Sequence, residues 1–343
     1  MPLPSEQALL ITGANGFLGM HVVREALERG YHVRGTVRSE SSAAKVRDLF
    51  AKYDSRLSLC VVPDLTTTEF YESAFSGTMK PITGVINVAA PFSFNVEDTT
   101  RDLLDPAIKS AAGVLEATKL FGSNVRRVIN TSSFAAILDL NQGYRPGYTY
   151  TEEDWSPTTY AEAVGTDPVT AYAASKSLAE KFMWDWMKSE QPAFSLVSIN
   201  PTWIFGPHVG RIGDLQHLNE SSEALWRLLN AKEVPPTDFA GFADVRVVAT
   251  AHLEAFTRSE AGGHRFLISS HFDYQTAVDS LREDIPQLRS RLPKGIPGAG
   301  KLEKVYIANG EKAENILGIK YIPLNKTMKD SILQLLEAEQ AAS

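Results

Sequence analysis

Eleven tyrosines occur in this 343-residue chain, and only one has a lysine four positions on: Tyr172-Ala-Ala-Ser-Lys176. On a helix that spacing puts both side chains on one face, one turn apart. A free phenol titrates near ~10. An ammonium beside a phenol favours its phenolate. Tyr172 then becomes a proton donor for a reacting oxygen, a general acid in the working pH range.

A second constellation lies near the N-terminus. The apolar run Ala8–Thr12 leads through Gly13-Ala14-Asn15-Gly16-Phe17-Leu18-Gly19 into a helical stretch, Phe17–Arg29, with Val22, Val23, Ala26 and Leu27 on one stripe. A Gly-x-x-Gly-x-x-Gly loop between strand and helix suits a dinucleotide pyrophosphate. Gly13 permits a sharp turn, Gly16 a close backbone approach to phosphate, and Gly19 tight packing of helix on strand. The helix N-terminus adds N–H donors and a positive dipole end. The next strand ends Gly35-Thr36-Val37-Arg38-Ser39, with no acid before Glu40. NAD sites place an acid there for the ribose 2′-hydroxyl. Arg38 instead offers a planar fork suited to a 2′-phosphate, which points to NADP(H). Lys45, roughly one turn further on, reaches that phosphate only if the loop curls back.

Both constellations need a scaffold, and the chain supplies alternating strand and helix signals. Strands are expected at Ala8–Thr12, Tyr31–Val37, Leu57–Val62, Gly84–Ala89, Arg127–Ser132 and Ser195–Ile199, with helices at Leu103–Phe121 and Val169–Ser189. Asp139–Pro168 reads as a long loop. Later come a helix at Asn219–Leu229, a strand at Asp244–Val248, a helix near Ala249–Arg258, a strand at His264–Ile268, and helices near Gly310–Leu317 and Thr327–Gln340. The pattern predicts an α/β protein, a Rossmann-type doubly wound parallel sheet with a smaller, discontinuous C-terminal substrate lobe. Residues 1–200 would bind the dinucleotide, with a return near 243–260. Residues 201–242 and 261–343 would form the lobe.

These motifs together resemble the extended short-chain dehydrogenase/reductases, which carry Thr-Gly-x-x-Gly-x-x-Gly at this place and Tyr-x-x-x-Lys on a later helix. Within that family the likeness is greatest to fungal methylglyoxal and carbonyl reductases. It rests on Ala90-Pro91-Phe92-Ser93-Phe94, Ser132-Ser133-Phe134-Ala135-Ala136, Asp167-Pro168-Val169 and Phe205-Gly206-Pro207. Dihydroflavonol and cinnamoyl-CoA reductases are similar at a greater distance. The resemblance implies reduction of a small aldehyde or ketone. Ser133 would bond the substrate carbonyl, Tyr172 would pass it a proton, and Lys176 would hold the nicotinamide ribose. It also implies cofactor contacts at Asn15, Phe17, Leu18, Asp64, Leu65, Ala89, Ala90, Thr131, Pro201 and Thr202. Phe92, Phe94, Phe134 and Trp203 are candidate walls of an apolar substrate pocket. Many relatives carry a catalytic Asn on the helix after strand four; Lys109 stands at that place here.

Composition narrows the field. Net charge is -7, which favours neither nucleic acid nor an anionic membrane surface. One cysteine, Cys60, permits no intrachain disulfide, and no apolar run approaches a membrane span. A cytosolic monomer or homodimer with a small-molecule carbonyl substrate is expected. The histidines lack metal-ligand spacing. Gly295-Ile-Pro-Gly-Ala-Gly300-Lys301 imitates a phosphate-binding P-loop, but Leu302 stands where Ser or Thr must reach magnesium. Two other functions stay open: a sugar-nucleotide epimerase or dehydratase, and a non-enzymatic NADP-binding redox sensor. Dehydratases of this fold usually show Asp-Glu where this chain has Ser132-Ser133, and such sensors commonly lack the Tyr–Lys pair.

Overall fold

The computed structural model describes residues 2–90, 96–302 and 304–342. The chain begins β1 (Ala8–Thr12), α1 (Phe17–Glu28), β2 (His32–Val37), α2 (Glu40–Leu49), β3 (Leu57–Val61) and β4 (Ile82–Asn87). It continues α3 (Asp105–Phe121), β5 (Arg127–Thr131), β6 (Thr149–Tyr150), α4 (Tyr160–Ala163), α5 (Pro168–Glu190) and β7 (Ser195–Pro201). Then follow β8 (Trp203–Phe205), α6 (Glu220–Leu228), β9 (Gly241–Asp244), α7 (Val245–Thr257), β10 (Arg265–Ile268) and β11 (Ser270–His271). The C-terminal part adds α8 (Tyr274–Asp284), β12 (Ile307–Ala308) and α9 (Leu324–Ala342).

Seven described strands form one parallel sheet in the order β10-β7-β5-β4-β1-β2-β3. From β1 the chain first winds outward through β2 and β3, then crosses to β4 on the other side. The reversal opens a crevice above the carboxyl ends of β1 and β4, where such sheets bind ligands. Strands buried on both faces read as unbroken apolar runs, and Leu9, Leu10 and Ile11 of β1 are fully buried. One core packs α1 and α7 against the sheet around Leu9, Val23, Ile129 and Phe256; the other packs α3 and α5 around Leu10, Val114, Val128 and Met183. A third core, around Phe205, Leu225, Phe272, Leu281 and Ile332, builds the smaller lobe from α6, α8 and α9. A three-stranded sheet, β11-β9-β8, connects that lobe to the large one.

Two expectations require correction. Residues 244–248 are not a strand: β9 ends at Asp244 and α7 begins at Val245. Asp244 caps that helix, accepting from the Arg246 N–H at 2.9 Å. The Val-rich start misleads because α7 is buried nearly all round, including Val245, Val248, Leu253 and Phe256, so no polar stripe marks its period. The second concerns 265–268, placed with the lobe by the sequence. They form β10, paired in parallel with β7 as an edge of the large sheet. The glycine segment at 295–300 is a turn held to α8, with Ile296 N–H on Gln275 and Gly298 N–H on Asp279.

His252 of α7 is fully buried under β5. Its Nδ1 lies 2.7 Å from the Val248 carbonyl and its Nε2 lies 2.8 Å from Thr131 Oγ1. A carbonyl only accepts, so Nδ1 carries the proton and Nε2 accepts from the threonine. Burial lowers the pKa of His252 from 6.5 to about 4. Below pH 6.5 the unfolded chain therefore takes up a proton that the folded chain refuses, and stability falls as pH drops toward 4. Between about pH 7.5 and about pH 5 this one group should cost about 2 kcal/mol. Urea denaturation at both pH values checks it: His252→Gln should lose about 2 kcal/mol less than the wild type over that interval. Equal losses would remove His252 as the source.

Candidate active site

The crevice at the strand reversal is a cleft of about 1080 Å³. Its floor is set by a buried polar chain across three strand ends. Thr12 Oγ1 donates to Asn87 Oδ1 at 2.8 Å and accepts from the N–H groups of Val88 and Ala89. Asn87 Nδ2 in turn donates to Asn130 Oδ1 at 3.1 Å. The glycine loop faces the Ala89–Ala90 turn across this chain. Gly13 has φ +65°, a left-handed conformation that glycine adopts without strain. At Gly19 a Cβ would stand 2.0 Å from the Gly13 carbonyl oxygen. The close approach that Gly19 allows is thus to the loop itself. No side chain caps the N-terminus of α1, whose first turn borders the cleft at Phe17, Leu18 and Gly19.

Every described residue expected to contact cofactor lines this one cleft: Gly13, Asn15, Gly16, Phe17, Leu18 and Gly19, then Arg38, Asp64, Leu65, Ala89, Ala90, Thr131, Pro201 and Thr202, with Tyr172 and Lys176. Arg38 is exposed at the end of β2, beside the N-terminus of α2. Ser39 caps that helix, its hydroxyl accepting from Ser42 N–H at 3.3 Å. Lys45 lies within α2, exposed, and is not among the lining residues. Asp64 accepts from the N–H and hydroxyl of Thr66, both at 2.8 Å, and these bonds hold its carboxyl below the usual range. A strand-end arginine, a helix N-terminus without a side-chain cap and a cleft of this size fit a phosphorylated dinucleotide.

The catalytic candidates converge at the other end. Asp167 caps α5 by accepting from Val169 and Thr170 N–H, each at 3.0 Å, and Pro168 starts its first turn. That helix carries Tyr172 and Lys176 into the cleft, with Lys176 Nζ 5.6 Å from the centre of the tyrosine ring. Ser133 follows β5. Its Oγ accepts from Ala135 N–H at 3.1 Å, so its own proton is left to donate elsewhere. The Ser133 carbonyl accepts from Asn200 Nδ2 at 3.2 Å, and the same amide donates to Glu180 Oε2 at 2.8 Å. Glu180 also receives the Ser132 hydroxyl at 2.6 Å, Trp184 Nε1 at 3.2 Å and Arg265 Nε at 2.7 Å. Burial opposes the charge on Glu180, but Arg265 and these donors together hold its carboxyl below the ordinary range.

The wall candidates fare differently. Trp203 borders the cleft and donates from Nε1 to Asp238 Oδ1 at 3.1 Å. Phe134 also borders it, yet its ring is 2% exposed and packs against Tyr150 and Tyr306, with centroids 5.7 and 5.6 Å away. That makes it core, not open wall. Phe92 and Phe94 lie outside the described residues. Lys109 is 64% exposed and pairs with Asp105 at 3.4 Å in a separate depression, so it does not stand in for a catalytic Asn. Sequence reasoning missed Asn219, Asp238 and Phe239 of the rim and the whole Glu180 cluster. A signal for Glu180 was present: an acid on the buried face of α5, one turn past Lys176.

Residues 9–268 match the model of the NAD dependent epimerase/dehydratase family. The chain is 35% identical over 340 residues to the NADPH-dependent methylglyoxal reductase of Saccharomyces cerevisiae, covering 97% of this chain and 99% of that one. The crystal structure of the yeast methylglyoxal/isovaleraldehyde reductase complexed with NADPH superposes with a TM-score of 0.91 at 34% identity, over 97% of this chain and 99% of that one. Its Candida albicans counterpart, also in complex with NADPH, gives 0.90 at 33%, over 96% and 99%. Sheet order, glycine cradle and relatives agree, and the chain belongs to the NAD dependent epimerase/dehydratase family, the extended short-chain dehydrogenase/reductases.

Proposed function

We propose that this chain is an NADPH-dependent carbonyl reductase that converts small aldehydes or ketones to alcohols. The observation that carries the reading is convergence: Ser133, Tyr172 and Lys176 share one cleft with the glycine loop and Arg38. The names and bound cofactor of the yeast and Candida relatives support it. Gly13, Gly16 and the first turn of α1 would hold the pyrophosphate, Arg38 the 2′-phosphate and Lys176 the nicotinamide ribose. When bound, the reduced dinucleotide supplies the hydride. Ser133 donates its hydroxyl proton as a hydrogen bond to the substrate oxygen and stabilises the charge developing there. Tyr172 protonates that same oxygen, with the Lys176 ammonium favouring the phenolate left behind. Trp203 forms one wall of the substrate site. Among the described residues no helix is long and apolar enough to cross a membrane, and the reading includes a cytosolic location and a monomeric or dimeric enzyme. A turnover screen with aldehydes, diketones and aryl ketones separates this reading from an epimerase, which would retain its cofactor through turnover, and from a sensor, which would show none.

Tyr172→Phe removes only the proton donor. Its kcat should fall by about 10²–10⁴-fold while NADPH binding, followed by cofactor fluorescence, stays near wild type. A mutant with near wild-type kcat would take Tyr172 out of the mechanism.

Arg38→Ala addresses cofactor choice. A charge-assisted hydrogen bond contributes roughly 1.5–3 kcal/mol, so kcat/KM for NADPH should fall at least about 10-fold, with the NADH value little changed. A wild type that prefers NADH, or a mutant that keeps its full preference, would overturn the assignment.

A further inference from the structure

Glu180 touches neither of the proton-donating side chains, yet it grips the backbone that aims one of them. Its Oε2 takes the Ser132 hydroxyl at 2.6 Å and Asn200 Nδ2 at 2.8 Å, and that amide also donates to the Ser133 carbonyl at 3.2 Å. The residue before Ser133 and the carbonyl of Ser133 itself are thus tied to one carboxylate. Glu180 is fully buried, and it stands four residues past Lys176 and eight past Tyr172 on the same helix. Arg265 of β10 anchors it from the far side, Nε to Oε1 at 2.7 Å and Nη2 to Oε2 at 3.3 Å. Arg265 is itself held by the Glu152 and Asp154 carbonyls and lies over the Trp155 ring at 3.5 Å. One side chain therefore links the helix bearing the Tyr–Lys pair, the turn bearing the serine and the outer edge of the sheet.

We infer that Glu180 is a positioning residue for carbonyl reduction, holding the Ser133 turn at its working distance from Tyr172 and acting through Ser133. The inference rests on the carbonyl reductase reading. The chemistry of the carboxylate supports it. Only an ionised acid offers two oxygens that accept from every side, and here donors arrive from Ser132, Asn200, Trp184 and Arg265. Glutamine keeps the shape but turns one acceptor into a donor that faces other donors. The turn must then shift, and a misplacement of about 1 Å near reacting groups costs up to about 100-fold in rate. The glycine loop and Arg38 lie in the other half of the sheet and share no hydrogen bond with this cluster.

The test is a double-mutant cycle with Ser133→Ala, in which kcat for a ketone substrate is expressed per NADPH-binding site titrated by cofactor fluorescence. Wild-type turnover first tests the underlying reading: its absence defeats that reading and this inference together. With wild type active, Glu180→Gln should lower kcat about 10- to 100-fold with NADPH affinity unchanged. In the Ser133→Ala background the same change should cost less than about 3-fold, because an interaction routed through Ser133 is lost only once. Should Glu180→Gln yield no NADPH-binding protein, Asn200→Ser decides by the same cycle, since it releases the Ser133 carbonyl and leaves the Glu180–Arg265 pair in place. Wild-type kcat in a folded single mutant, or equal losses in both backgrounds, would overturn the proposal.

Discussion

The buried chain of hydrogen bonds from Thr12 through Asn87 to Asn130 is the constraint on which the cleft depends. Parallel strands end in main-chain groups with no partner of their own, and the crevice between β1 and β4 exposes such ends on both sides. One hydroxyl meets that problem by accepting from Val88 and Ala89 N–H while donating to Asn87. Thr12 and Asn87 are paired on both sides within the chain, so the low dielectric there strengthens their bonds. The spacing of β1, β4 and β5 at their ends follows, and with it the separation of glycine loop, Ala89–Ala90 turn and Ser133 turn.

The two halves of the site are built differently. The half proposed for the cofactor is local: a glycine turn, a helix N-terminus and a strand-end arginine, each made within a few residues of its neighbours in sequence. The half proposed for catalysis is assembled from a distance. Ser132 lies in the turn after β5, while Glu180, Asn200 and Arg265 come from α5, β7 and β10, and their contacts span up to 85 residues. Burying a charge pair of this kind costs desolvation, so the pair is weak evidence for stability.

That division explains what could be read in advance. β1, the glycine loop, α1 and α5 were legible because a strand, a turn residue and a cap each leave a local mark, as Gly13 and Asp167 do. The position of Arg38 at the end of β2 was legible for the same reason. Residues 244–248 were not, since β-branched residues in a helix buried on all sides carry a strand-like signature. β10 was recognised as a strand, but its place in the large sheet depends on pairing with β7, which no local pattern encodes. α2 and α8 went unassigned although Tyr274, Ala277, Val278 and Leu281 follow helical spacing. Phe134 shows the limit for side chains: its position after β5 is clear from sequence, but only the Tyr150 and Tyr306 rings decide which way it packs.

The small parallel pair formed by β6 and β12 joins Thr149 to Ile307 and Tyr150 to Ala308. It closes a loop of more than 150 residues, and Tyr306 beside it supplies one of the rings that seat Phe134. The segment between β5 and α5 therefore takes part of its packing from chain made more than 150 residues later. In order of synthesis, the set of rings that seats Phe134 is complete only once Tyr306 has been made.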